Sequence, residues 1–189
     1  MTRPLIVAAK RGLPFEEWNS CLLLWIGTRE MLYREFALNW LYPEFERGTY
    51  QIRSEDVQPF VKKIWRTIKT DGAPLSDYGV TRTARDFLRM AAEFGLLVGS
   101  GARKSFSPLH LTDRCFLYYA HTIAEAERST SRIPQSKLWQ LTLLRPEEVV
   151  NALLRLHQFR KLDYQVAGSL VQLTLPCASS REYAERMVA

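Results

Sequence analysis

Residues 81–105 constrain the fold of this chain more than any other stretch, because their pattern predicts a helix, a stop and a short β-hairpin in succession. Thr81 provides a side chain that can cap the start of this helix. Gly95 follows the last apolar turn, where a left-handed residue commonly closes a helix. Four apolar residues recur at the i, i+3, i+4, i+7 spacing of a buried helix face, namely Ala84, Phe87, Leu88 and Ala91.

Basic residues mark the other side of this helix and the hairpin that follows. At about 100° per residue, Arg82, Arg85 and Arg89 fall nearly opposite the apolar stripe. Residues 96–98 and the turn 99–101 then lead to Arg103 and Lys104 near the hairpin tip. An arginine-bearing helix followed by a basic hairpin is typical of winged helix-turn-helix proteins. In these proteins the helix enters the major groove and the wing contacts phosphates.

An arginine-bearing helix face is often only a solvated surface, and that interpretation stays open for this helix. The local charge favours the binding interpretation, since residues 81–105 contain five basic residues and only two acidic ones, Asp86 and Glu93. We therefore expect this helix and hairpin to contact DNA.

The composition limits the class of protein. The 189 residues suffice for one large or two small domains, and the 47% hydrophobic and 24% charged residues are typical of a globular protein. The net charge of +6 favours anionic partners. No apolar run approaches the ~18 residues that a membrane span needs, so no membrane partner is expected. Three widely spaced cysteines argue against a disulfide framework and predict a cytoplasmic protein.

The residues before this stretch predict the other helices of a winged-helix unit. Helices are expected at 15–26 and at 28–41, the second ended by Pro43, and residues 50–52 form a candidate strand that pairs with the wing. Pro59 fits only a first turn, so the next helix is expected to begin at Asp56. Its outer side either contacts the DNA backbone or is a solvated face, and it carries Lys62, Lys63, Arg66 and Lys69.

The connection at residues 70–80 departs from the usual helix-turn-helix pattern. A turn of three or four residues is typical, and this connection has eleven. Ser76 can cap an extra helical turn at 75–79, which would shorten the connection. Without that turn, the two helices need not lie at the usual angle.

The rest of the chain repeats the order of helix, helix, helix and hairpin. Helices are expected from Thr112 or Asp113 to 127, after Ser136, from Pro146, and after Ser179 or Ser180, with a hairpin at 162–166 and 171–175. The predicted fold class is mainly α, with two winged-helix-like helical units that each end in a β-hairpin. The predicted domains are an N-terminal arm and first helix at 1–27, a winged-helix-like DNA-binding unit at 28–106 and a second such unit at 107–189.

The second unit differs from the first in its charge. Its would-be recognition helix begins with Glu147 and Glu148, and its hairpin tip at 167–169 carries no charge. Carboxylates at that position would repel phosphate, so we expect this unit to be structural or protein-binding.

The sequence lacks the patterns of catalytic and metal sites. The turn 99–101 is too short for a phosphate-binding loop and is not followed by the lysine and helix of that motif. Cys115 and His121 do not have a zinc-site spacing, and neither His110 nor His157 has an evident partner for a catalytic triad. We therefore expect no enzyme activity, no metal and no cofactor.

Five short segments carry a resemblance to a known family: residues 32–36, 54–60, 81–97, 106–113 and 136–139. Together they make residues 22–175 similar to BrxA, the small non-enzymatic component of BREX phage-defence systems. The resemblance implies a mostly helical protein with winged-helix-like parts that binds double-stranded DNA and serves the defence assembly. It supplies no catalytic residues.

The leading hypothesis is a double-stranded DNA-binding protein with little sequence specificity, since the helix at 81–94 has no Asn or Gln to read adenine. Other defence-system proteins are expected partners, and the chain is expected to be a monomer or weak dimer. Two alternatives remain, a scaffold for partner proteins and a winged-helix transcriptional regulator. The predicted contacts are Arg82, Arg85, Arg89, Arg103 and Lys104, with Thr83 beside the arginine stripe and Lys62, Lys63 and Arg66 on the DNA backbone.

Overall fold

The computed structural model describes residues 2–68, 73–99, 101–107, 109–168 and 170–187. Lys69, the start of the 70–80 connection and one residue of each predicted hairpin tip, Ser100 and Ser169, lie outside these residues. The described chain is mostly helical with small antiparallel sheets, which confirms the mainly α prediction. It divides into a central unit (Ile26–Leu109 and Leu141–Leu143) and a flanking unit (Met1–Trp25, His110–Gln140 and Leu144–Ala189).

The helices and strands follow one another as listed here. The first half of the chain contains α1 (Thr2–Lys10), α2 (Phe15–Arg29), α3 (Met31–Phe36), a π-helical turn (Ala37–Leu41), α4 (Tyr42–Glu46), β1 (Ile52–Arg53), α5 (Ser54–Ile68), α6 (Asp77–Glu93), β2 (Leu97–Val98) and β3 (Arg103–Phe106). The second half contains α7 (Asp113–Glu127), two 3₁₀-helices (Ile133–Gln135 and Lys137–Thr142), α8 (Pro146–Gln158), β4 (Asp163–Ala167), β5 (Leu170–Thr174) and α9 (Ser180–Arg186).

Helix α6 begins four residues earlier than predicted. Ser76, and not Thr81, caps it, because the Ser76 hydroxyl accepts a hydrogen bond from the Gly79 N–H at 3.1 Å. The extra turn that Ser76 can start is therefore continuous with the main helix. The earlier start adds the first-turn residues to the surface of α6 and shortens its connection to α5.

Pro43 does not end a helix, contrary to the sequence prediction. The helix continues from α3 through the π-helical turn into α4 and ends at Glu46. In the wider turn the Tyr42 N–H donates to the Ala37 carbonyl, five residues back. The wider turn moves the hydrogen-bond pattern by one residue just before Pro43, which has no N–H to donate. The helix therefore continues past Pro43 without a break.

Helix α5 also starts earlier than its proline suggests. It begins at Ser54 rather than Asp56, and Pro59 lies in its second turn. The Asp56 carboxylate accepts a hydrogen bond from the Arg53 N–H at 2.7 Å, which stabilises the earlier start in the manner of a capping box.

An aromatic cluster around Phe36 holds α6 in the central unit. Phe36 is fully buried and stacks on Phe87 of α6, with ring centroids 4.8 Å apart, and on Trp40, at 5.5 Å. The apolar stripe predicted for α6 is buried as expected, at Ala84, Phe87, Leu88 and Ala91. Because this stripe faces the core, the arginines of α6 are left on its exposed side.

The central unit also contains a three-stranded antiparallel sheet of order β1-β3-β2, with β1 before α5 in the chain and β2 and β3 after α6. The candidate strand at 50–52 shares only Ile52 with the observed strand β1, and β1 pairs with the wing strand β3 as predicted. Gly95 has a φ of +79°, the left-handed conformation expected at the end of the helix. Gly99 has a φ of +119°, and a Cβ there would lie 2.8 Å from the Arg103 carbonyl oxygen. The hairpin therefore requires glycine at this position.

The start of the flanking unit is helical rather than a loose arm. Residues 1–14, predicted as an arm, contain α1, with Leu5 and Ala8 buried. The Trp18 indole N–H donates to the Leu5 carbonyl oxygen at 3.1 Å. This hydrogen bond and the two buried side chains give the segment tertiary contacts that its composition alone does not reveal.

The second half of the flanking unit matches the predicted hairpin but not a full copy of the central unit. Strands β4 and β5 pair over five residues each, and Thr112 and Ser179 cap α7 and α9. The short helix predicted after Ser136 is 3₁₀-helical. Within the described residues the hairpin is a sheet of two strands, whereas the central unit has three.

Candidate nucleic-acid interface

A groove of about 870 Å³ runs along the exposed side of α6 in the central unit. The start of α5 and the wing strand β3 form its other walls. Four cations and three carboxylates line it, so its charge is nearly balanced. The residues that line it are Ser54, Glu55, Tyr78, Thr81, Arg82, Arg85, Asp86, Leu88, Arg89, Ala92, Glu93, Gly101, Ala102 and Lys104.

Two of the three predicted arginines of α6 form ion pairs along the helix. The Asp86 carboxylate lies 3.0 Å from Nη2 of Arg89 and 3.9 Å from Nε of Arg82. Arg89 also approaches Glu93, at 3.8 Å. The Arg82 and Arg89 side chains remain 71% and 67% exposed, so these pairs are solvated and contribute little to stability. They nevertheless offset part of the positive field of the helix.

Arg85 differs from the other two arginines. Within the described part of the chain, no carboxylate lies within 4.0 Å of its guanidinium group. The positive charge of Arg85 acts on Glu55 at the start of α5. The pKa of Glu55 is lowered, first by its own backbone N–H, then by the Ser54 hydroxyl, and further by the charges of Arg53 and Arg85. Arg85 is thus the least compensated cation of the α6 stripe.

The two cations predicted for the wing lie on different sides of the sheet. Lys104 lines the groove, and its Nζ donates to the Gly99 carbonyl oxygen at 2.6 Å. Arg103 is exposed but does not line the groove. Only Lys104 therefore shares a surface with the α6 arginines.

The other predicted contacts lie outside the groove. Lys62, Lys63 and Arg66 are exposed on α5, and Lys62 pairs with Asp77 at 3.2 Å. Thr83 is half-buried and does not line the groove. At about 100° per residue it lies roughly 160° around the helix from Arg85, so it is not beside the arginine stripe.

Sequence reasoning missed Tyr78, an aromatic residue that lines the groove and is 73% exposed. It lies seven residues before Arg85, on the same face of α6. The signal was present in Ser76, whose capping role puts Tyr78 in the first turn of the helix. With the helix started at Thr81, this residue falls in the connecting segment.

The described residues also bear on metal binding and on membrane insertion. No three His, Cys, Asp or Glu side chains there are grouped closely enough to hold a metal ion. No helix among them has both the length and the apolar character to cross a bilayer.

The BrxA family model matches residues 15–122 of the chain, which is more than half of its length. The match covers all of α6, the three strands of the central unit and the residues that line the groove. No curated protein and no solved structure matches the chain.

Proposed function

The chain belongs to the BrxA family and is therefore a BREX-associated protein, and we propose that it is a cytoplasmic, non-enzymatic component that binds double-stranded DNA. The single observation that supports this most is the groove-lining face of α6, where Arg82, Arg85 and Arg89 are all exposed. DNA phosphates attract such a stripe without regard to sequence.

The order of elements in the central unit supports a winged-helix interpretation. A helix, a short strand, two helices and a hairpin follow one another, and the first strand joins the hairpin to make the sheet β1-β3-β2. In a winged helix the second helix of the helix pair enters the major groove, and α6 has that position here. The flanking unit has the hairpin but only two strands, so we assign the DNA contact to the central unit.

The residues of α6 favour affinity over base recognition. Helix α6 has no Asn or Gln, so none of its side chains can recognise adenine through the usual pair of hydrogen bonds. Arginines that form exposed ion pairs exchange a carboxylate for a phosphate at little cost. We therefore expect duplex binding with weak sequence preference.

A salt series tests the proposal. Fluorescence anisotropy with labelled duplexes of random and genomic sequence should give similar affinities, because the contacts are mainly to phosphates. If about four to six phosphates are neutralised, log affinity should fall with log salt at a slope of roughly −4 to −5. Absence of duplex binding even at low salt would reject the proposal.

Asp86 is expected to limit the affinity. Its carboxylate pairs with two groove arginines and would lie close to phosphate in a complex. Asp86→Asn should therefore raise the affinity for duplex DNA roughly fivefold, as expected for removing one like charge at the surface. The same anisotropy titration measures this change.

Glu185→Gln is the matched control for Asp86→Asn. Glu185 pairs with Arg181 one turn away on α9 in the flanking unit, so the control also removes one carboxylate from a helical ion pair. It should leave the affinity nearly unchanged. A weaker affinity for Asp86→Asn would mean that Asp86 itself contacts the DNA, for example by accepting a hydrogen bond from a cytosine amino group.

A protein-binding role for the flanking unit is the second candidate function. Large apolar side chains are exposed on α8, just after it and on the β4–β5 hairpin, and they include Leu154, Phe159, Val166 and Leu170. Exposed large apolar side chains favour a protein contact over a nucleic-acid contact. This candidate fits a BREX-associated protein that binds other proteins of the defence system. Co-purification with such a partner, lost when Leu170 is changed to Ser, would test it.

A further inference from the structure

The sheet of the central unit places two arginines directly opposite each other. In the β1–β3 register, Ile52 pairs with Lys104 and Arg53 pairs with Arg103. Since successive side chains of a strand alternate between faces, Arg53 and Arg103 share one face and Ile52 and Lys104 share the other. Ile52 is fully buried, so its face is packed, while Arg53 and Arg103 are exposed to solvent.

The two arginines lack the ion pairs that some other cations of this unit have. Within the described residues, no carboxylate lies within 4.0 Å of Arg53 or Arg103, whereas Arg82, Arg89 and Lys62 each have at least one. Glu55 affects Arg53 only through a longer-range electrostatic interaction. The Asp56 carboxylate is held by the backbone N–H of Arg53 and not by its guanidinium group.

This arrangement is unfavourable unless an anion joins it. Like charges directly opposite each other across an antiparallel pair destabilise the sheet, since their Cβ atoms are about 4.5–5.5 Å apart. Strand β1 has only two residues, so the repulsion acts on one of its two cross-strand pairs. A phosphate between the two guanidinium groups would accept hydrogen bonds from both and turn the repulsion into binding.

We infer that Arg53 and Arg103 together hold one backbone phosphate of bound DNA, at a second contact on the solvent face of the sheet. This inference rests on the proposed function and adds a residue, Arg53, to the predicted interface. It also separates the two wing cations, because Lys104 acts in the α6 groove and Arg103 acts with Arg53 on the opposite face. The ligand chemistry is a phosphate oxyanion, and its source is the phosphodiester backbone.

Four variants test this inference: Arg53→Thr, Arg103→Thr, the double variant, and Arg132→Thr as control. Threonine suits an exposed strand position, and Arg132 is an exposed arginine of the flanking unit. Affinity for a duplex is measured by anisotropy across a salt series. Each single sheet variant should bind about tenfold more weakly, and its salt slope should be smaller in magnitude by about one.

The double variant carries the decisive result. If one phosphate is shared, the double variant should have the same salt slope as either single variant, because only one phosphate contact is lost. A slope reduced by about two would mean two independent contacts and would overturn the shared site. Single variants that bind as well as Arg132→Thr would also overturn it, while leaving DNA binding by α6 intact.

A thermal-unfolding experiment distinguishes a backbone phosphate of DNA from free inorganic phosphate as the ligand of this site. The melting temperature is compared in inorganic phosphate and in chloride at equal ionic strength, for the wild type and for Arg53→Thr. We expect at most a small Arg53-dependent shift, since a free phosphate lacks the other contacts of a duplex. If the wild type binds no duplex, the proposed function fails. An Arg53-dependent shift in phosphate would then assign the site to a free anion and overturn its assignment to DNA.

Discussion

Reversing two arginines of α6, with Arg85→Glu and Arg89→Glu together, is expected to weaken duplex binding by more than about a hundredfold. Each reversal removes a charge-assisted contact worth about 1.5–3 kcal/mol and adds repulsion against phosphate. Arg85 has no carboxylate within 4.0 Å in the described chain, so its guanidinium group can bind a phosphate without first breaking an ion pair. Anisotropy at low salt measures the loss.

The fold should survive this double reversal. Both side chains are exposed on the side of α6 opposite the buried stripe. Arg89→Glu places a third carboxylate beside Asp86 and Glu93, at a cost of a few tenths of a kcal/mol for each helical pair. Circular dichroism and the melting temperature verify that the variant is folded.

A control with the same change in net charge distinguishes local contact from overall charge. Arg132→Glu with Lys137→Glu alters two exposed cations of the flanking unit. It should reduce the affinity only a few-fold, through the long-range field. A folded Arg85/Arg89 variant that binds within threefold of wild type would show that α6 is not the DNA-contacting helix.

Truncating Phe36 to alanine is expected to destabilise the central unit by about 3–5 kcal/mol. Its ring is fully buried and stacks on Phe87 of α6 and on Trp40, so the truncation leaves a cavity behind the helix that carries the arginines. The melting temperature of this unit should fall by at least about 12 °C, and DNA binding should be lost once the unit has unfolded.

The matched control for this truncation is Phe159→Ala. Phe159 is 64% exposed, so removing its ring should change the melting temperature by no more than a degree or two. Equal stability of the two variants would mean that the aromatic cluster does not support α6. Chemical denaturation followed by tryptophan fluorescence gives a second measure, since Trp40 is part of the cluster.

The sequence predicted the elements with strong periodicity and failed where one residue decides a boundary. The buried stripe of α6 follows from apolar spacing alone and is confirmed. The pairing of a preceding strand with the wing was expected from the winged-helix pattern, and β1 does pair with β3. The helix starts at Ser54 and Asp77 do not follow from apolar spacing. They are set by the side chains of Asp56 and Ser76, which accept capping hydrogen bonds from backbone N–H groups. Pro43 was expected to end a helix and Pro59 to lie in a first turn, whereas the helix continues past Pro43 and Pro59 lies inside α5.

The composition of the candidate site was only partly predictable. Arg82, Arg85, Arg89 and Lys104 meet at one groove, as their spacing suggests. Arg103 and Lys104 face opposite sides because they are neighbours in one strand, which alternation alone predicts. The pairing of Arg103 with Arg53 depends on strand register, which the sequence does not fix for a strand as short as β1. Tyr78 was missed because the predicted start of α6 lies four residues after the observed start. The ion pairs of Asp86 depend on rotamers, which no sequence pattern specifies.

The π-helical turn at Ala37–Leu41 lets this helix carry one additional residue without turning its two halves against each other. Such a turn holds one residue more than the α-helical path between the same two ends. Deleting one residue within it should therefore restore regular α-helical spacing and leave Phe36 and Tyr42, both buried on its two sides, facing the same core. A deletion within α3 would instead rotate everything before it by about 100° relative to everything after it. Family members that fill this core in the same way can therefore lack one residue at this turn but not in the regular helix beside it.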